Sequence, residues 1–341
     1  MITSIIVCFS YTKSDLHALN PRHVKTDARK VLTYLIGTLK IPLTNIIFIT
    51  DILPDSYKIE ELNVNFQEKI IQYLGNPNIH KNLNYYPLRW LEEICKEYNL
   101  NKNNILDSTL PILRTSSIIE YVYLFTKFYL INGKEHYLNL IRDCFNSLSI
   151  NSKLIFYFTG HAYKTENTSK ISLVVPDKQL QSASYIPSST IVALLQSIHE
   201  SIDVVYIFDC CYAEIFLIAQ NGYRFGKNGK LFAVSETSNI SSNKFFIGST
   251  LKNQTCGFYN DDTIDDGSLF THFLFKYLQI AKSRFLLELY KNVEIQIEKY
   301  RYNQSKGMQN MIIGNGASKL AAPCPTPQII MEFPLWFCQL N

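Results

Sequence analysis

Five short stretches of the chain are apolar almost without interruption: Ser4–Ser10 (SIIVCFS), Asn45–Thr50 (NIIFIT), Lys153–Phe158 (KLIFYF), Asp203–Phe208 (DVVYIF) and Lys244–Thr250 (KFFIGST). Each is rich in β-branched and aromatic residues, and none alternates apolar with polar. That is the pattern of strands covered on both faces in a parallel sheet. Between them, apolar positions recur at helical spacing over His23–Lys40, Glu135–Leu148, Leu269–Ala281 and Phe285–Tyr300. A further helix is expected from Pro187 through His199, with proline near its first turn and a serine hydroxyl, Ser188 or Ser189, available as cap. Strand and helix alternating at this spacing predict an α/β fold, an open sheet between helices.

Residues 51–133 do not fit a minimal unit of this kind. They carry an Asn/Lys/Ile-rich bias (EYNLNKNNI) and two or three helical patterns. We read them as a helical insertion between the second and third strands of a single domain spanning 1–341; a separately folded helical domain is the alternative. The longest apolar run, Ile118–Ile131, is broken by Glu120 and Lys127 and falls short of a bilayer span, so a core helix is expected there rather than a membrane-facing one.

Composition narrows the function classes. A chain that is 47% hydrophobic and 18% charged is not disordered. Its 33 basic and 29 acidic residues are too evenly balanced for nucleic-acid binding, and no basic block with interleaved aromatics occurs. The first residues, MITSIIVCFSYTK, show no basic region ahead of their short apolar run, so no signal peptide is expected. The eight cysteines (Cys8, Cys95, Cys144, Cys210, Cys211, Cys256, Cys324, Cys338) form no CxxC pair. Reduced thiols in a cytoplasmic setting, no structural zinc and no cofactor are the resulting expectations. Phosphate-loop and dinucleotide fingerprints are absent, and no arginine follows Cys210 or Cys211 at the short spacing of a tyrosine phosphatase.

Chemistry collects at two strand ends. KLIFYF runs into Thr159-Gly160-His161, and DVVYIF runs into Asp209-Cys210-Cys211. Functional groups gather at the carboxyl edge of open parallel sheets, so adjacent strands would bring His161 and Cys211 together across 50 positions of sequence. A thiol needs a nearby imidazole to become the nucleophilic thiolate near neutral pH. The tetrahedral intermediate then needs backbone donors, for which the amides of Cys211 and Ala162 are the candidates. Taken singly, His161 would be a structural histidine and Cys211 a buried thiol; their joint placement carries the functional reading. Alternation along the strand points Cys210 into the core, and Cys210 as nucleophile is the swapped alternative.

These residues resemble a known family. A strand ending in an aromatic then small-Gly-His, followed by a strand ending Asp-x-Cys, is similar to the paired signature of metacaspases and their caspase relatives. ISLVVPD (Ile171–Asp177) resembles the hairpin after the histidine, and IPSSTIVALLQSI the helix before the cysteine strand. DGSLFTHFLFKYL (Asp266–Leu278) resembles the family's Gly-x-Phe-Thr helix start, VKTDARKVLTYL (Val24–Leu35) its first helix and TPQIIMEF (Thr326–Phe333) a final edge strand. Thr-Gly-His and Asp-Cys-Cys also resemble the legumain-like and glycosyl-anchor transamidase cousins.

The resemblance implies a caspase-like three-layer α/β/α sandwich around a six-stranded, mostly parallel sheet. It implies a cysteine endopeptidase acting on polypeptides, with a Cys211/His161 dyad and a pocket for a basic side chain. Asp209, Asp27 and Thr159 match the pocket positions, which implies cleavage after Arg or Lys, since paired buried carboxylates reward a cation.

Three positions depart from the family. Ala162 replaces the glycine after the histidine, Tyr212-Ala213 replaces His-Ser-Gly after the cysteine, and Ser188-Ser189 replaces the acidic pair of calcium-dependent members. No metal is therefore expected at that last position. Asp261, Asp262, Asp265 and Asp266 lack EF-hand spacing and read as a solvated loop. Tyr223–Lys230 lies where relatives process themselves, and Arg224, Lys227 and Lys230 suit such a site as well as they suit a plain surface loop. The rival functional reading is a catalytically inactive scaffold or regulator that binds protein partners through the insertion.

Overall fold

The computed structural model describes residues 1–11, 21–51, 127–131, 133–165, 170–177, 182–217, 221–225, 231–236, 243–251, 253–256, 258–259, 267–280, 286–303, 312–315, 334 and 336–337. The five apolar runs are strands: β1 (Ile2–Cys8), β2 (Ile46–Thr50), β4 (Lys153–Thr159), β8 (Asp203–Asp209) and β11 (Lys244–Gly248). With β3 (Lys127–Leu130) they make six parallel strands in the order β11-β8-β4-β1-β2-β3. Almost every residue in β1, β2, β4, β8 and β11 is buried, as unbroken apolar runs require when both faces are covered.

The sheet is larger than the six strands expected. Three antiparallel strands, β14 (Ile312–Asn315), β9 (Asn221–Phe225) and β10 (Leu231–Glu236), extend it beyond β11 to nine, while β12 (Phe258–Tyr259) and β13 (Gly267–Ser268) pair only with each other. β3 is a second correction: it lies inside the stretch assigned to the 51–133 insertion and in the run Ile118–Ile131 expected to be helical. Residues 52–126, where the rest of the insertion falls, lie outside the described residues, as do Asp261, Asp262, Asp265, Asp266 and the TPQIIMEF segment.

Five helices are described: α1 (Pro21–Leu32), α2 (Lys134–Asn146), α3 (Ser188–Gln196), α4 (Leu269–Ile280) and α5 (Leu286–Asn303). The helical pattern read to Lys40 continues past α1 as a π-helical turn over Thr33–Thr38. At α3 the serine cap is not used: Pro187 occupies the cap position with no side-chain hydrogen bond.

Strand alternation divides the core. Leu154, Phe156, Phe158, Tyr206 and Phe208 pack with Ile141 and Phe145 of α2 and Ile191 and Leu195 of α3. Tyr157 faces the other way, against Phe275 and Thr271 of α4. Helix α4 packs on α1 and α5. The result is helix, sheet and helix in three layers. No helix among the described residues is long and apolar enough to cross a membrane.

The chain builds β1, β2 and β3 toward one edge, then returns to add β4, β8 and β11 on the other side of β1. The order therefore reverses between β1 and β4. In open α/β sheets the crevice at the carboxyl ends of such a pair is where ligands bind.

Candidate active site

Strands β4 and β8 pair in parallel from Lys153↔Asp203 to Thr159↔Asp209. Strand β1 flanks β4 on its other side, with Cys8 opposite Thr159. Three strands thus end level, and the chain beyond each end supplies the site: Tyr11 after β1, His161 after β4 and Cys211 after β8. The Gly160 amide ties two of these ends, donating to Asp209 C=O at 3.3 Å.

The two adjacent cysteines differ in surroundings. Cys210 is fully buried in the core beside Phe208 and Phe216, and burial holds its thiol well above the ordinary cysteine range. Cys211 is half-buried. The backbone N–H of Cys256 donates to Cys211 Sγ at 3.3 Å, a contact that favours the thiolate. Of the other thiols, Cys144 is pushed up to about 12 by burial, as is expected of an inert core residue.

The turn carrying Cys211 is held from the end of β11. Ser249 Oγ and Thr250 Oγ1 both donate to Cys210 C=O, at 3.1 and 2.9 Å. Thr250 Oγ1 accepts the Ala213 N–H at 2.9 Å, and Thr250 C=O accepts the Glu214 N–H at 3.1 Å. Tyr212 sits in the left-handed region at φ 57°, with its N–H bonded to Gln254 C=O at 3.0 Å. A bulky residue in that region costs about 1–2 kcal/mol, a cost that recurs at functional turns. Ala213 is wholly buried in the following 3-10 turn, so the departure at these two positions is absorbed by the packing.

His161 precedes a small antiparallel sheet of β5 (Ala162–Lys164), β6 (Ile171–Asp177) and β7 (Ser182–Pro187), the hairpin expected after the histidine. In such a ladder, opposed residues alternate between pairs that exchange hydrogen bonds and pairs that do not. Val174 N–H donates to His161 C=O at 3.0 Å and Thr165 N–H to Lys170 C=O at 2.9 Å. Those two pairs are bonded, so Ala162, opposite Leu173, is in a non-bonded pair. Its N–H points off the outer edge of the sheet. Ala162 has ordinary extended backbone, so no glycine is required at this position.

The acids meet on the other face of the large sheet. Asp209 Oδ2 accepts the Thr271 hydroxyl at 2.6 Å, and Asp209 Oδ1 accepts the Cys256 thiol at 3.0 Å. Tyr157 OH lies 2.7 Å from Thr271 Oγ1 and extends that chain. Both oxygens of Asp27 accept the Ser268 N–H, at 3.0 and 3.1 Å. Burial raises both carboxyls above the ordinary range, and for Asp27 the charge of Asp209 adds to the rise. Thr159 faces the same side and is fully buried; among the described residues its hydroxyl has no hydrogen-bond partner. The three positions singled out for a basic side chain are therefore together, with Ser268, Thr271 and Cys256 as neighbours that the sequence did not single out.

His23 lies within α1 and His272 within α4, so neither stands at the end of a strand. Arg224 falls within β9, paired on both sides by β10 and β14, which corrects the reading of this position as a loop; Lys227 and Lys230 lie outside the described residues. Among the described residues no group of three His, Cys, Asp or Glu side chains is placed to hold a metal ion.

No protein-family model and no curated protein matches the chain. Among solved structures 90 chains match, one of them a structural-genomics protein from Geobacter sulfurreducens. It is 9% identical, with 98% of this chain and 97% of that chain covered at a TM-score of 0.46.

Proposed function

We propose that the chain is a cysteine endopeptidase of caspase-like fold that cleaves polypeptides after Arg or Lys. The observation that carries the reading is the register of β4 with β8, Thr159 opposite Asp209, which sets His161 and Cys211 each two residues past one aligned pair of strand ends. The six parallel strands and the reversal of order beside β4 fit that fold. Half-burial and a backbone donor to its sulfur favour Cys211 over the buried Cys210 as nucleophile.

In this reading Cys211 Sγ attacks the scissile carbonyl carbon and the negative charge moves to the carbonyl oxygen. The outward N–H of Ala162 and the N–H of Cys211 are the donors for that oxyanion. His161 takes the thiol proton and gives it to the leaving amine as the C–N bond breaks, leaving a thioester on Cys211. Water, deprotonated by His161, then releases the acid and the free thiol. The Asp27–Asp209 pair receives the basic side chain, whose charge offsets the cost of two buried carboxylates.

Hydrolysis of fluorogenic peptides ending in Arg, Lys, Asp or Asn tests this, for wild type and Cys211→Ala, with and without calcium. Turnover of Arg and Lys peptides without calcium, abolished in the variant, is the expected result. Cleavage after Asp or Asn would keep the enzyme and discard the pocket. Silence toward all four, with no labelling of Cys211 by an electrophile, would favour the scaffold reading.

A further inference from the structure

We infer that Tyr11 is a positioning residue for His161 and for the Ala162 N–H, acting through a hydroxyl built into the β5–β6 ladder. The inference rests on the peptidase reading of this site.

The bonded pair His161–Val174 should exchange two hydrogen bonds. One is direct, from Val174 N–H to His161 C=O at 3.0 Å. In place of the other, the His161 N–H donates to Tyr11 Oη at 2.7 Å, and Tyr11 Oη donates to Val174 C=O at 3.0 Å. A phenol from beyond the end of β1 thus stands between two chain segments of a different sheet. It takes the place of the second bond of that pair where the chain passes from His161 to Ala162. The Tyr11 ring lies on the imidazole of His161, with centroids 4.9 Å apart and planes 28° from parallel.

The insertion is fixed from behind. Tyr11 adopts φ 56°, a conformation unfavourable to a bulky residue. Asp51, just past β2, holds it there by accepting the Ser10 N–H at 2.7 Å and the Tyr11 N–H at 2.6 Å. Room for the hydroxyl is made at Gly160, where a Cβ would come within 2.6 Å of Tyr11 Oη. The glycine between Thr159 and His161 is therefore explained by a side chain 149 positions earlier in the sequence (160 against 11). The tyrosine is buried, and its hydroxyl proton goes to Val174 C=O.

Tyr11→Phe keeps the stacked ring and deletes only the bridge. With its amide unsupported, the His161–Ala162 segment closes on Val174, and both the imidazole and the oxyanion donor move. Displacements near 1 Å at a reacting centre cost on the order of 100-fold in rate. The expected result on Arg peptides is a kcat lowered about 10- to 100-fold with KM within about twofold, since the two acids proposed to hold the basic side chain, Asp27 and Asp209, are on α1 and β8.

Gly160→Ala supplies the second arm. Alone it drives a methyl into the hydroxyl and lowers kcat. Combined with Tyr11→Phe the tightest clash is gone and only the approach to Phe158 Cζ at 3.0 Å remains, so the double variant should lose less than the product of the two losses. A folded Tyr11→Phe enzyme with unchanged kcat would overturn the inference, as would losses that multiply. A silent wild type would overturn the peptidase reading and this inference together. An active wild type with an indifferent Tyr11→Phe overturns this inference alone.

Discussion

The Thr159 hydroxyl is buried at the strand end beside Asp209, without a hydrogen-bond partner among the described residues. Leaving a hydroxyl in that state costs about 1–3 kcal/mol. Val has nearly the shape of Thr, so Thr159→Val should raise the urea midpoint at unchanged m, with a gain of about 1 kcal/mol. In the proposed pocket the same change removes a group that faces the substrate cation, and KM for Arg peptides should rise severalfold. A lower midpoint would show that the hydroxyl has a partner in the fold; an unchanged KM would place it outside the pocket. The sequence singled out Thr159 because it stands next to the strand-end histidine motif. Tyr11, Cys256 and Ser268 escaped for a physical reason: each acts through a contact with a residue remote in the chain. The contact that is closest in sequence, Ser268 Oγ with Cys256 Sγ at 3.9 Å, still spans 12 positions. The tyrosine in SYTK reads like any aromatic after a strand until β4 is laid beside β1.

Elements were legible where their burial is uniform. The five continuous apolar runs became central parallel strands, and their ends fell within a residue or two of the reading. The strands that escaped lie toward the margins of the sheet. Strand β3 is four residues, KFYL, at one edge of the sheet. Strand β9 opens with Asn-Gly and β14 closes with Gly-Asn, both ordinary turn signals. What the central strands deliver is the turn at Cys211, and that turn depends on the end of β11. Thr250 Oγ1 serves Cys210 C=O and Ala213 N–H at once. Thr250→Val leaves the Ala213 N–H buried without that acceptor, and a loss of about 1–3 kcal/mol in denaturant unfolding is expected. Turnover should fall as well, because the same bonds hold the residues on either side of Cys211. Thr250→Ser keeps the oxygen and should recover most of both losses. If Thr250→Val lowered stability without touching kcat, the β11 end would be a support of the fold and not of the nucleophile.

Across the whole molecule, the layer of α1 and α4 closes on the sheet through the acid pair. Asp27 reaches from α1 to the Ser268 N–H ahead of α4, and Asp209 reaches from β8 to Thr271 inside α4. Gly267, at φ 138°, lets the chain pass where a Cβ would come within 2.4 Å of Asp27 Oδ1. Stability is therefore tied to the protonation of this junction. Burial, followed by the charge of Asp209, raises Asp27 well above 3.8, against the opposing effects of Lys30 and the Ser268 N–H. A carboxyl whose folded-state pKa exceeds its unfolded value binds its proton more tightly in the native state. Its stabilising contribution is complete below about pH 3.8 and is lost as pH rises through the folded-state value. Asn cannot ionise and still offers a carbonyl oxygen to Ser268. Asp27→Asn should thus gain on the wild type in urea unfolding as pH rises from about 4, by at most about 1.4 kcal/mol per pH unit, and level off once Asp27 has ionised. Cleavage after Arg or Lys should weaken in the same protein, because one of the two charges that would recognise the cation is gone. A stability difference independent of pH would mean that Asp27 does not titrate in this range. A gain in stability with undiminished cleavage would separate the junction from the pocket and leave Asp209 to recognise the cation alone.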